Sequence, residues 1–287
     1  MLIALLAVST SSLFARFLPG LAAVSIAFWR MATAGTFLWG WTAAKPQVPM
    51  SGPNLKKTLL AGIFLGLHFA CFFGALKLTS VANATVFATM APLFTVFIER
   101  IFLKRPWKPI ILAGLFLSVA GGIIINLGGL HFAGYGKTGD GLALLSSFWM
   151  ALVLLIAEDI RQETGTLVYS RLVYTVAGGT LLVLALIMKI NVFTFQPGEF
   201  IWLLMLGLIP TVIGHTVFSY TVKFIRPTIV ASVPLGEPVI ASFLAWIFLA
   251  EQVPLMTVIG GAVTLGGLYV ITSRQAGPSS NFQIDTL

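Results

Sequence analysis

Four ionisable side chains stand inside long apolar runs of this sequence: Arg30, His68, His215 and Glu237. Such groups cost several kcal/mol in hydrocarbon unless a cavity or a partner receives them, so they are the first candidates for chemistry. Glu237 lies between Gly236 and Pro238, with Pro234 a turn earlier. Those prolines free backbone carbonyls beside a carboxylate, a setting for an amine or a proton. The alternative is a carboxylate paired with Arg30 or protonated against a carbonyl. His68 and His215 sit mid-way along two such runs; imidazole can bond a polar ligand and pass a proton near neutrality, or simply tie helices together. Arg30 can snorkel, pair with an acid, or hold a carboxylate, and Arg171 stands at a related place further on. Asn83, an amide at the entrance to a run, and Trp149, a bulky aromatic in the middle of one, complete the candidate set.

The runs that carry these residues belong to a membrane protein. Of 287 residues 58% are hydrophobic and only 9% charged, and the mean hydropathy is +0.99. A soluble chain needs roughly 25% charged residues to cover its surface, so this apolar surface must face lipid. The net charge of +8 does not point to nucleic acid, because the basic residues fill short gaps between apolar runs, as membrane topology requires. Cys71 is the only cysteine, which excludes a disulfide framework. There is no phosphate loop and no His-Glu-x-x-His motif, and His68, His131 and His215 are too scattered for an evident metal site. The expectation is a protein without cofactor or enzymatic activity, whose partners are the bilayer, a small molecule and, as candidate coupling ion, the proton.

An all-α integral membrane fold with ten transmembrane helices is predicted, near 1–19, 22–42, 57–78, 82–103, 108–127, 139–157, 168–190, 200–222, 228–250 and 254–273. The apolar start, lacking a basic n-region, reads as the first span rather than a secretory signal. The segment from Ala82 to Gly121 returns loosely about 146 residues later: Pro92 maps onto Pro238, Gly114 onto Gly260, Ser118 onto Thr264 and Gly121 onto Gly267. Residues 1–135 and 136–274 are then two five-helix repeats, followed by a polar tail, 275–287. Five is odd, so the second repeat enters from the opposite side and the repeats are inverted. Lys45, Lys56, Lys57, Lys104, Arg105, Lys108, Arg161, Lys223, Arg226 and Arg274 gather on one side, which predicts N-in and C-in in the cytoplasmic membrane. Inverted repeats enclosing a site suit an alternating-access carrier. The glycines of spans five and ten, with Ser118 and Thr264, read as packing seams, joining those spans or two copies of a homodimer if the chain is not a monomer.

Several stretches carry a resemblance: "AFWR" in span two, "MAPLFTVFIERIFLKR" in span four, and "VPLGEPVIASFLAWIFLAE" followed by "IGGAVTLGGLYVI" in spans nine and ten. Together they resemble the drug/metabolite transporter superfamily, specifically EamA-type permeases, over essentially the whole chain. The resemblance implies a secondary transporter, more often an exporter, of small polar metabolites such as amino acids. The alternatives are an antiporter for organic phosphates or nucleotide sugars, which would want basic residues in span nine, and an integral membrane enzyme acting on lipid-linked substrates. Two departures stand out. Arg105 ends span four where the family often has an acid, with Glu99 earlier. Span one offers Ser9, Thr10, Ser11 and Ser12 but no carboxylate of the small-multidrug-pump kind.

Overall fold

The computed structural model describes residues 1–44, 46–79, 81–106, 108–126, 136–249 and 253–273. Lys45, His131, Glu251, Arg274 and the tail lie outside the described residues. Among the described residues the regular structure is all helical, without strands. In chain order they form α1 (Leu2–Arg16), α2 (Ala23–Ala43), α3 (Gly52–Leu78), α4 (Val81–Ala88), α5 (Ala91–Ile101), α6 (Pro109–Asn126), α7 (Lys137–Ile160) and α8 (Thr166–Ile187). Then come α9 (Phe200–Leu206), α10 (Thr216–Thr221), α11 (Pro227–Ser232), α12 (Glu237–Leu249) and α13 (Leu255–Ser273). Helix occupies each of the predicted stretches. Seven of these rods are long and apolar enough to cross a membrane, with α4–α5, α9–α10 and α11–α12 each counted as one rod.

Local chemistry sets where the helices start and break. Ser51 caps α3 by accepting from the Asn54 N–H at 3.4 Å, with Pro53 just inside the first turn. Pro109 and Pro227 open α6 and α11, where a missing N–H costs nothing. Inside spans, proline does the opposite. Pro92 interrupts span four between α4 and α5, and the Thr89 hydroxyl turns back to the Thr85 and Val86 carbonyls at 3.0 Å each. Pro234 lies within, and Pro238 two residues after, the tighter turn Val233–Gly236 that separates α11 from α12. Pro210 lies in a π-helical stretch, Gly207–His215, where the wider turn lets Thr211 Oγ1 donate to Leu206 O at 3.1 Å.

The principal core gathers α1, α2, α3, α7, α8 and α9 around side chains such as Met31, Phe69, Phe73, Tyr174 and Leu181. A second cluster, including Leu115, Leu235 and Ile271, lies beside the α6–α13 pair. That pair packs along glycine. A Cβ on Gly121 would lie 2.6 Å from the Gly260 carbonyl, and one on Gly260 would lie 2.6 Å from the Gly121 carbonyl. Between them Ser118 Oγ donates to Thr264 O at 3.2 Å and Thr264 Oγ1 donates to Ser118 O at 3.4 Å. The predicted glycine stripes thus face each other within one chain, at backbone-contact range.

Candidate functional site

Where the breaks of spans four and nine meet α1, α2, α3, α7 and the π-helical stretch, the helices line a cavity of about 60 Å³. Four of the six predicted site residues line it: Arg30, His68, His215 and Glu237. They arrive on four different rods, so no local sequence pattern could have shown that they converge.

Arg30 is buried to 2% exposure, yet held from three sides. Its Nε donates to Thr211 Oγ1 at 2.8 Å and its Nη1 to Ser11 Oγ at 2.5 Å, while the guanidinium lies 4.3 Å from the Phe69 ring centroid. The Thr211 hydroxyl already donates to the Leu206 carbonyl, so its oxygen is turned to accept from Arg30. A desolvated cation over an aromatic face gains about 2 kcal/mol, and charge-assisted hydrogen bonds add roughly 1.5–3 kcal/mol each. Those contacts offset a burial that otherwise costs several kcal/mol. Gly207 makes the approach possible: a Cβ there would sit 3.1 Å from the Arg30 carbonyl and 2.5 Å from Thr33 Cβ.

Glu237 is placed otherwise. It opens α12 directly after the tighter turn Val233–Gly236, with its own N–H donating to Pro234 O. Its carboxylate lines the cavity and, among the described residues, makes no hydrogen bond or ion pair, with Arg30 or anything else. Ala91, beside Pro92 at the break of span four, lines the same cavity.

The two imidazoles share an aromatic platform. His68 Nδ1 lies 3.0 Å from both the carbonyl and the hydroxyl oxygen of Ser146, with the donor set by the ring's tautomer. Its ring stands edge-on to Phe69, and His215 packs edge-on to Phe69 at 5.3 Å and to Phe218 at 5.9 Å. Phe72, Met150, Leu154 and Val230 complete an apolar wall. Beside this wall the lining is polar at Ser11, Arg30, Thr85, Thr89 and Glu237 as well as at the two imidazoles.

Asn83 and Trp149 are not among the cavity-lining residues. Asn83, buried on α4, donates to Asp140 Oδ1 at 3.2 Å in the first turn of α7. Trp149 stacks on Phe64 with centroids 5.1 Å apart and tilts against Phe148. Sequence reasoning also missed two contributors. Ser11 was visible only as one of a run of hydroxyls, and Thr211 had no signal beyond its neighbour Pro210.

A bundle of broken apolar helices around a cavity lined by a buried cation and an acid is the architecture of a multi-pass membrane protein. Comparison with known proteins gives the family. A profile of the EamA-like transporter family matches residues 1–127 and 137–273, and the chain belongs to that family. It is similar to an uncharacterized transporter of Archaeoglobus fulgidus, 28% identical over 88% of each chain. It is 24% identical to the pseudopaline exporter CntI of Pseudomonas aeruginosa over 90% of this chain and 88% of that one. A probable terminal-alkyne amino-acid exporter of Streptantibioticus cattleyicolor is 26% identical over 68% of this chain and 65% of its own. One solved crystal structure shares the fold, with a TM-score of 0.78 over 96% of this chain and 97% of that one at 19% identity.

Proposed function

We propose that this transporter exports a small zwitterionic metabolite, an amino acid or a close relative, by alternating access across the cytoplasmic membrane. The observation that carries the reading is the pair of opposite charges in one cavity: Arg30 anchored by hydrogen bonds to Ser11 and Thr211, Glu237 without a hydrogen bond or ion pair among the described residues. In this reading Arg30 receives the carboxylate and Glu237 the ammonium group, or a proton when the cargo has left. His68 and His215 line the passage between them, and the apolar wall takes the side chain. The relatives named for exporting pseudopaline and an alkyne-bearing amino acid fit that chemistry.

The architecture proposed is ten membrane crossings in two inverted five-helix repeats, N-in and C-in. Its support is reciprocal: Ser118 and Thr264, 146 residues apart, bond each other in both directions, as an internal two-fold axis would arrange. The breaks at Pro92 and Pro238 are likewise at corresponding places, where discontinuous helices of such carriers surround their cargo. An organic-phosphate antiporter is disfavoured because Arg30 is the only basic residue other than histidine among those lining the cavity. Asn83 and Trp149 are given no role in cargo contact.

The test is efflux and uptake in proteoliposomes of the purified protein, with pooled radiolabelled amino acids, with and without a proton gradient. Saturable flux lost in Glu237→Gln and Arg30→Gln supports the reading. Saturable flux of an amino acid that both variants leave intact overturns the site, and flux of sugar phosphates alone overturns the cargo class.

A further inference from the structure

Helix α7 crosses the whole structure and is tied to the other half of the chain at both ends. Near its start Asp140 accepts from Thr79 Oγ1 at 2.7 Å and from Asn83 Nδ2 at 3.2 Å. The tie is close: a Cβ on Gly139 would lie 2.8 Å from the backbone N of Thr79. Near its other end Glu158 takes a two-pronged contact from Arg105, which follows α5: Nη1 to Oε1 at 3.0 Å and Nη2 to Oε2 at 2.9 Å. Arg105 also reaches Glu99, itself 8% exposed, at 3.3 Å. From residue 140 to residue 158 the helix rises roughly 27 Å, close to the roughly 30 Å of a bilayer's hydrocarbon core. Met150 and Leu154, on the stretch between, line the central cavity.

From this placement we infer that Asp140 with Thr79 and Asn83, and Glu158 with Arg105 and Glu99, are the two latches of the carrier, one for each face of the membrane. An alternating-access cycle must part the halves at one face while holding them at the other. The contacts at α7's two ends are suited to this because each is polar and directional; at the Asp140 end they sit beside a small apolar cluster of Ala75, Ala84 and Ala143. An Arg–carboxylate fork is among the strongest such contacts and the most geometrically specific. Other ties of α7 at the Glu158 end, such as Lys57 with Asp159, are exposed and worth little. The Glu158 latch lies on the face rich in basic loop residues, and so on the cytoplasmic face in the N-in orientation.

The inference rests on the alternating-access reading above but not on any cargo, so it can fail or stand independently of the substrate. The experiment places a single reporter thiol in the cavity wall, Ala88→Cys in a Cys71→Ser background. A charged, membrane-impermeant methanethiosulfonate is then applied to right-side-out or inside-out vesicles. Adding Glu158→Gln raises the labelling rate from the cytoplasmic face about tenfold and lowers it from the outer face, in the range of an ordinary two-state coupling. Asp140→Asn does the reverse. The charge exchange Arg105→Glu with Glu158→Arg returns both rates toward the parent, which a general loosening of the fold cannot mimic. Rates that rise equally at both faces, or stay unchanged in variants that keep their elution profile in detergent, overturn the inference.

Discussion

Replacing Thr211 with valine removes one hydroxyl and changes little else in shape, which makes it a sharp test of how the buried guanidinium is supported. The hydroxyl does two things: it accepts from Arg30 Nε at 2.8 Å and donates to Leu206 O at 3.1 Å. Loss of a hydrogen bond to a charged group costs about 1.5–3 kcal/mol. The neutral bond to the Leu206 carbonyl adds about 0.5–1 kcal/mol. The expected destabilisation is therefore about 2–4 kcal/mol. Thr264→Val supplies the comparison, since its hydroxyl makes one neutral bond, at 3.4 Å to Ser118 O, and its loss should cost about 0.6 kcal/mol. Thr211→Ser keeps the oxygen and loses one buried methyl, about 0.8 kcal/mol. The assay is SDS-induced unfolding of purified protein in mixed micelles, followed by far-UV circular dichroism. If valine at 211 costs no more than valine at 264, or serine recovers nothing, Arg30 is not held by Thr211 in the way argued.

Three further outcomes follow from the same structure. Gly121→Ala forces a methyl to within 2.6 Å of the Gly260 carbonyl and should cost about 3 kcal/mol or more, read by the same unfolding assay. Gly122→Ala, which meets nothing within 4 Å, should be neutral or stabilising by up to about 1 kcal/mol. Trp149→Phe keeps an aromatic against Phe64 and lies away from the cavity, so the KM and maximal flux of any cargo found should change less than about twofold, a shift well under 1 kcal/mol; a tenfold change would put Trp149 in the transport path.

How much of this was legible beforehand depended on the physical origin of each feature. The helices were, because a lipid-facing helix must be apolar along its whole length and that shows in any window of the sequence. The breaks in spans four and nine were legible through Pro92, Pro234 and Pro238, whose missing N–H groups act locally. The break near Thr211 was less so: Pro210 alone does not say whether a helix kinks, stops or widens into a π-turn. Arg30, His68, His215 and Glu237 stood out because burial of an ionisable group is expensive wherever it occurs. Asn83 and Trp149 did not carry that cost. An amide and an indole are tolerated at helix ends and lipid-facing flanks, so their sequence setting could not tell a cavity wall from a contact with Asp140 or Phe64. Ser11 illustrates the reverse case. Ser9 Oγ turns back to Leu5 O at 2.7 Å, as hydroxyls in helices commonly do, whereas Ser11 accepts from Arg30, and only three-dimensional placement separates the two.

The balance of charge in the cavity bears directly on what can be carried. With Arg30 and Glu237 both ionised the empty site is neutral overall, and a zwitterion between them leaves it neutral. Moving one net charge through the membrane potential costs or releases about 2.3 kcal/mol per 100 mV. A neutral site with neutral cargo escapes that penalty in either direction, so its flux is set by the cargo gradient and by any proton taken up at Glu237. A doubly charged phosphate cargo would leave the same cavity two charges negative, with only Arg30 to receive it and Glu237 opposing it. Protonating Glu237 would remove one of those charges and still leave a single guanidinium for a group that usually recruits several basic partners. The break of span four brings Ala91, not a second acid, to the cavity, and this too fits a cargo with one cationic end. A site matched to a dication would want carboxylates from both breaks, and this one supplies a carboxylate from only one.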